Sequence, residues 1–169
     1  MPANKTATRS YLPPSISESN RLSPATVSRS AESSTAPTRI LSISSAGDDH
    51  VTLRKILSGM PWDLTPTATC KDAIARLGWD RIAIVLCECN LPDGTWKDIL
   101  NRLADSGQPP LLIVTSKLAN ESLWAEVLNL GGYDVLAKPF IDKEVRHVLD
   151  SAWARASNPA QRVHVVGAA

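Results

Sequence analysis

A chain of 169 residues is long enough for one ordinary domain with a real core, plus tails. Hydrophobic content of 43% with a net charge of +1 leaves no strong field of either sign, which excludes composition-driven binding to nucleic acid or to a membrane surface. No apolar run approaches the roughly 18 residues a spanning helix needs, and the polar start MPANKTATRS leads into no secretory h-region, so a cytoplasmic location is expected.

Residues 1–38 carry nine Ser, five Thr and five Pro. Such a segment buries too little apolar surface to offset its ordering entropy and is expected to be disordered. Pro13, Pro14, Pro24 and Pro37 argue against the amphipathic helix of a transit peptide. From Arg39 the composition shifts, and a domain over 39–157 with a tail over 158–169 is expected.

RILSI, from Arg39, predicts a first strand. TLRKIL (52–57) spaces Leu53, Ile56 and Leu57 as one helical face, with Asp48 and Asp49 available as caps. WDLTPTAT (62–69) predicts a second strand, and Pro66 puts it at an edge or a strand end. KDAIARLG (71–78) predicts a short helix stopped by Gly78. RIAIVLCE (81–88) is apolar without alternation, the pattern of a parallel strand covered on both faces. TWKDILNRLA (95–104) puts Trp96, Ile99, Leu100 and Leu103 on one helical face. LLIVT (111–115) predicts another buried strand. NESLWAEVLNL (120–130) predicts a helix opened by Asn120 and closed by Gly131-Gly132. YDVLA (133–137) is a strand, and DKEVRHVLDSAWARA (142–156) a final helix.

This is β-α five times over, which predicts a three-layer, doubly wound α/β domain with a five-stranded parallel sheet and five helices. Sites in such sheets lie at the carboxyl ends of the strands. Ser44-Ser45, Glu88, Thr115-Ser116 and Lys138-Pro139 stand at four of those ends. Glu88 is the unusual one, a carboxylate carried straight out of an apolar run and costly there unless something uses it. Cys87 and Cys89 lie on one short run, in an odd total of three cysteines, the pattern of buried thiols in a reducing compartment. Trp96 and Trp124 fit packing roles on helical faces, and Asp93-Gly94 is a turn signal. The sequence has no G-x-G-x-x-G after a strand, no phosphate-binding loop motif and no G-x-S-x-G, so no enzymatic activity is expected.

With RILSI, WDRIAIVLCECNLPDG, LLIVTS and GGYDVLAKPF in this order, the chain resembles the receiver domain of two-component response regulators over roughly 39–157. The resemblance implies a flavodoxin-like sheet of order 2-1-3-4-5 and a cis bond before the proline of the Lys-Pro pair. It implies an aspartate acceptor four residues before the loop proline, an acidic pair after the first strand that helps hold Mg²⁺, a Thr or Ser and a Lys that bind phosphoryl oxygens, and an aromatic switch residue three before that Lys.

In this sequence the acceptor position is Glu88, an ungapped count puts the acidic pair at Ser44 and Ser45, Thr115 and Lys138 match, and the switch position is Val135. A gapped register puts the acidic pair at Asp48-Asp49 instead. Mg²⁺ favours carboxylate oxygens, so its binding is expected to be lost. Glutamate sets its carboxylate one methylene farther out, a displacement of about 1 Å that can cost about 100-fold in rate.

The expectation is a stand-alone, degenerate receiver that is not phosphorylated, in which Glu88 is a permanent anion paired with Lys138 and the pocket's only obvious negative charge. It would act through the face of its fourth and fifth helices and fifth strand on a protein partner, a histidine kinase or another signalling protein, as a monomer or weak dimer. The competing readings are a small ligand-binding domain or enzyme on the same fold, and a conventional receiver with residual phosphorylation.

Overall fold

The computed structural model describes residues 38–78 and 81–158. The segment expected to be disordered and the C-terminal tail therefore lie outside the described residues, apart from Thr38 and Asn158. Thr38 belongs to the domain: it opens strand β1 (Thr38–Ile43) opposite Trp62.

The chain continues through α1 (Gly47–Leu57), β2 (Trp62–Thr67), α2 (Cys70–Leu77), β3 (Ile82–Glu88) and the two-residue strands β4 (Asn90–Leu91) and β5 (Gly94–Thr95). It then forms α3 (Trp96–Ala104), β6 (Leu111–Ser116), α4 (Glu121–Leu130), β7 (Asp134–Ala137) and α5 (Asp142–Ser157). The five long strands form one parallel sheet in the order β2-β1-β3-β6-β7. Pro66 lies in β2, an edge strand, where a residue with no N–H to donate disturbs the ladder least. The Lys138–Pro139 bond is cis.

Both sheet faces are covered. On one, Leu41, Val85, Cys87 and Val114 meet Ala73 of α2, Trp96 and Ile99 of α3 and Val127 of α4. On the other, Ile40, Ile84, Ile113 and Leu136 meet Leu53 and Ile56 of α1 and Val145 and Leu149 of α5. Alternate residues of β3 therefore point into opposite cores, which is why its sequence carries no polar alternation.

Local sequence sets the helix ends. The Asn120 side chain accepts from the Leu123 amide at 2.9 Å, and Gly131 takes the left-handed conformation (φ 104°) that closes α4. Asp98 accepts from the Thr95 amide at 2.7 Å and its hydroxyl at 3.0 Å at the start of α3.

Three details depart from the sequence reading. Helix α1 begins at Gly47, so Asp48 and Asp49 lie in its first turn, where the helix dipole favours them, and its N-cap Ala46 makes no side-chain cap. NLPDGT folds into an antiparallel two-strand ladder, Asn90 opposite Thr95 and Leu91 opposite Gly94, which no hydrophobic pattern announces. Trp96 is buried in the core as expected, but Trp124 is 51% exposed.

Candidate functional site

β1, β3, β6 and β7 run parallel, so their carboxyl ends share one edge, with Glu88 in register beside Thr115. Thr115 is buried, and its carbonyl accepts from the Cys89 amide at 2.9 Å, turning the chain out of β3. Lys138 leaves β7 with its amide donating to the Ser116 carbonyl at 2.9 Å. The backbone thus fixes where the lysine side chain starts.

Lys138 donates to Glu88 Oε1 at 2.8 Å and to Asp49 Oδ2. Its side chain is only 4% exposed, against 19% for Glu88 and 15% for Asp49. Glu88 Oε2 lies 2.9 Å from Ser44 Oγ, 3.3 Å from the Ser45 amide and 3.4 Å from Ser45 Oγ. Ser44 Oγ is also 2.5 Å from Asp49 Oδ2. A hydroxyl has one proton, so Ser44 shares it between the two carboxylates, while its oxygen accepts from the Ala46 amide at 3.2 Å.

The cluster of one ammonium and two carboxylates carries a formal charge of −1, cushioned by neutral donors. Burial raises the Glu88 carboxyl pKa, but the Lys138 and Ser44 hydrogen bonds, the lysine charge and the Ser45 amide more than offset it. The group ends below its ordinary value.

Glu88, Ser44, Ser45 and Lys138 thus meet at one point. Val135 does not join them; it lines a cavity beside α4. The expectation that Glu88 is the only anion is corrected: Asp49 is a second, because the first turn of α1 begins close enough to β1 to deliver it. Asp48-Asp49 was the gapped alternative for the acidic pair, and one member of that pair does reach the lysine while both serines contact Glu88. The signal available in the sequence is the pair of acids five and six residues beyond the end of β1, which serve equally as helix caps.

His50 adds a layer behind Ser44. Its Nε2 is 3.1 Å from the Ser44 carbonyl, an acceptor, so Nε2 carries a proton, and its Nδ1 is 3.1 Å from Ser42 Oγ. Asp93 also does more than turn the chain. Its carboxylate accepts from the Cys70 amide at 2.7 Å and the Lys71 amide at 3.0 Å, capping α2 from another loop. These backbone bonds hold its carboxyl below the usual aspartate value.

Cys70 and Cys87 are buried and Cys89 is half-buried, all three as free thiols. Burial, with the Asp93 charge next, pushes Cys70 up to about 11, and burial raises Cys87 and Cys89 as well. Among the described residues, no three of His, Cys, Asp and Glu form a metal-ligating group, and no helix is long and apolar enough to cross a membrane.

A doubly wound sheet of this order with five helices is the fold of the receiver domains of two-component response regulators. Solved structures agree. The signal receiver domain of a putative Luxo repressor protein from Vibrio parahaemolyticus superposes with a TM-score of 0.68 at 19% identity, over 72% of this chain and 93% of that one. The receiver domain of an HD domain-containing protein from Pseudomonas fluorescens Pf-5 gives 0.65 at 23% identity, over 72% and 98%. A two-component response regulator from Clostridium difficile gives 0.64 at 20%, over 72% and 99%. No protein-family model and no curated protein matches the sequence.

Proposed function

We propose that this chain is a receiver-like signalling module that does not take up a phosphoryl group and works through contacts with a protein partner. The observation that carries the reading is the Lys138 ammonium, bound by Glu88 and Asp49 together. In a receiver that lysine meets the incoming phosphoryl group. In this chain two of its three N–H donors go to carboxylates of the same chain.

The donor set does not fit Mg²⁺. The end of β1 offers two neutral hydroxyls, Ser44 and Ser45, and the two carboxylates close by already share one cation. A divalent ion there would compete with the buried ammonium for both carboxylates and would find only neutral side-chain hydroxyls beside them for its octahedron of hard oxygens. Without it the charge that develops in phosphoryl transfer lacks its divalent counter-charge.

Glu88 then supplies permanently the anion that an aspartate gains only when phosphorylated. The partner proposed is a histidine kinase or another protein of a phosphorelay, met on the face of α4, β7 and α5, in the cytoplasm.

Intact mass after incubation with a small phosphodonor and Mg²⁺ tests the reading. Unchanged mass is the expected result. A gain of one phosphoryl group on the wild-type chain overturns it. The Glu88→Asp variant alone should also remain unmodified, because the end of β1 still offers only the neutral Ser44 and Ser45 and Asp49 still pairs with Lys138.

A further inference from the structure

Between α4, β7 and α5 the surface is indented by a cavity of about 380 Å³, lined in part by Glu121, Trp124, Val135, Ala137 and Glu144. Val135 and Ala137 are short, so the β7 side of the cavity is open. Trp124 stands at its rim, and its indole N–H donates to Asp134 Oδ1 at 3.1 Å. That same oxygen accepts from the Val135 amide at 2.8 Å. The indole is therefore tied to β7 through a carboxylate, and about half of the Trp124 surface stays exposed.

The acids of α4 and α5 divide into two kinds. Glu126 is paired with Lys97, and Asp142 with Arg146. Among the described residues, Glu121 and Glu144 have neither an ion-pair nor a hydrogen-bond partner, and these two line the cavity. Lys117 and Lys143, the nearest lysines in sequence, do not line it.

We propose that this cavity binds an arginine side chain from an extended basic segment of the partner protein. The guanidinium would stack on the face of Trp124, with Glu121 and Glu144 as its counter-charges. A guanidinium is planar and weakly hydrated, so it can lie flat on a fixed indole while its edge N–H groups reach carboxylates. A lysine ammonium matches the charge but not the plane. The proposal rests on the reading that the chain acts through this face, and it adds the chemistry the partner must present.

The test uses the whole chain, isotope-labelled, and the peptide acetyl-Ala-Leu-Arg-Leu-Ala-amide, followed by magnetic-resonance shifts. Saturable movement of the Trp124 indole N–H and the Val135 and Ala137 amides is expected, at millimolar peptide or below. Replacing arginine by citrulline, which keeps shape and loses charge, should weaken binding about tenfold. The double variant Glu121→Gln, Glu144→Gln should do the same to the arginine peptide, and added salt should weaken it further. Val135→Trp fills the cavity with its charges intact and should abolish the shifts, with thermal unfolding confirming the fold.

Equal binding of the citrulline peptide, shifts mapping to another face, or no saturable shift would each overturn the proposal. Movement of the same residues with protein concentration alone would mean that a second copy fills the cavity, and would overturn it too. A phosphoryl mass gain would sink the functional reading without altering the peptide result, so the two failures can be told apart.

Discussion

Asp49, in the first turn of α1, is ion-paired with Lys138, 89 residues farther along the chain. The contact joins the first and last β-α units of the sheet at the point where Glu88 leaves β3. It also changes what removal of either acid would do.

With Asp49 in place, Glu88→Gln does not leave the buried lysine unpaired, and the amide oxygen can still accept from it. A loss of about 1–2 kcal/mol is expected from urea unfolding. Lys138→Met leaves two carboxylates among neutral donors with no cation between them, and should cost about 3 kcal/mol or more. A larger loss for Glu88→Gln than for Lys138→Met would contradict this account of the cluster.

Acid should weaken the domain in a defined direction. The folded Glu88 carboxyl lies below its unfolded value of 4.5, and Asp93 below 3.8, so the unfolded chain binds more protons in the interval between. Their contribution is complete above those unfolded values and disappears as pH falls through the folded ones. Stability measured from pH 7 down to pH 2 should drop in that lower range, and Glu88→Gln should flatten part of the slope. A wild-type curve rising toward acid would refute the assignment.

Asp93→Asn keeps the shape of the side chain and removes its charge from two backbone donors. Amide hydrogen exchange at Cys70 and Lys71 should accelerate, while exchange in the middle of β3 stays unchanged. If the two amides keep their protection, the cap does not depend on the carboxylate charge.

The thiols should be slow to react. For Cys70, pushed up to about 11, the thiolate fraction at pH 8 is roughly one in a thousand. Alkylation of the native chain at pH 8 should lag far behind alkylation in urea, where all three cysteines become accessible. Fast labelling of Cys70 or Cys87 in the native state would show that this core opens readily.

The layers and strand order were legible because the signals were long and redundant. RIAIVLCE and LLIVT carry the two-sided burial of inner strands, and Asn120 with Gly131-Gly132 writes both ends of α4. The meeting of Glu88 with Lys138 could be anticipated because the fold brings strand ends together. Asp49 was ambiguous because an acid before a helix pattern serves equally as a cap or as a site residue, and only the direction of the side chain separates the two. Trp124 misled for a related reason: helical spacing marks a face but does not say whether anything covers it. The cap that Asp93 lays on α2 joins a loop to a helix start more than twenty residues away, beyond the reach of any local pattern.

The carboxylate of Glu88 is part of the polypeptide, and this has a temporal consequence. A phosphoryl group on aspartate hydrolyses, so it gives a signal both an onset and a decay. A glutamate side chain has neither and persists as long as the chain does. On the function proposed above, whatever depends on the anion at the end of β3 would therefore follow how much of this protein is made and how quickly it is degraded, a control by dosage with no clock of its own.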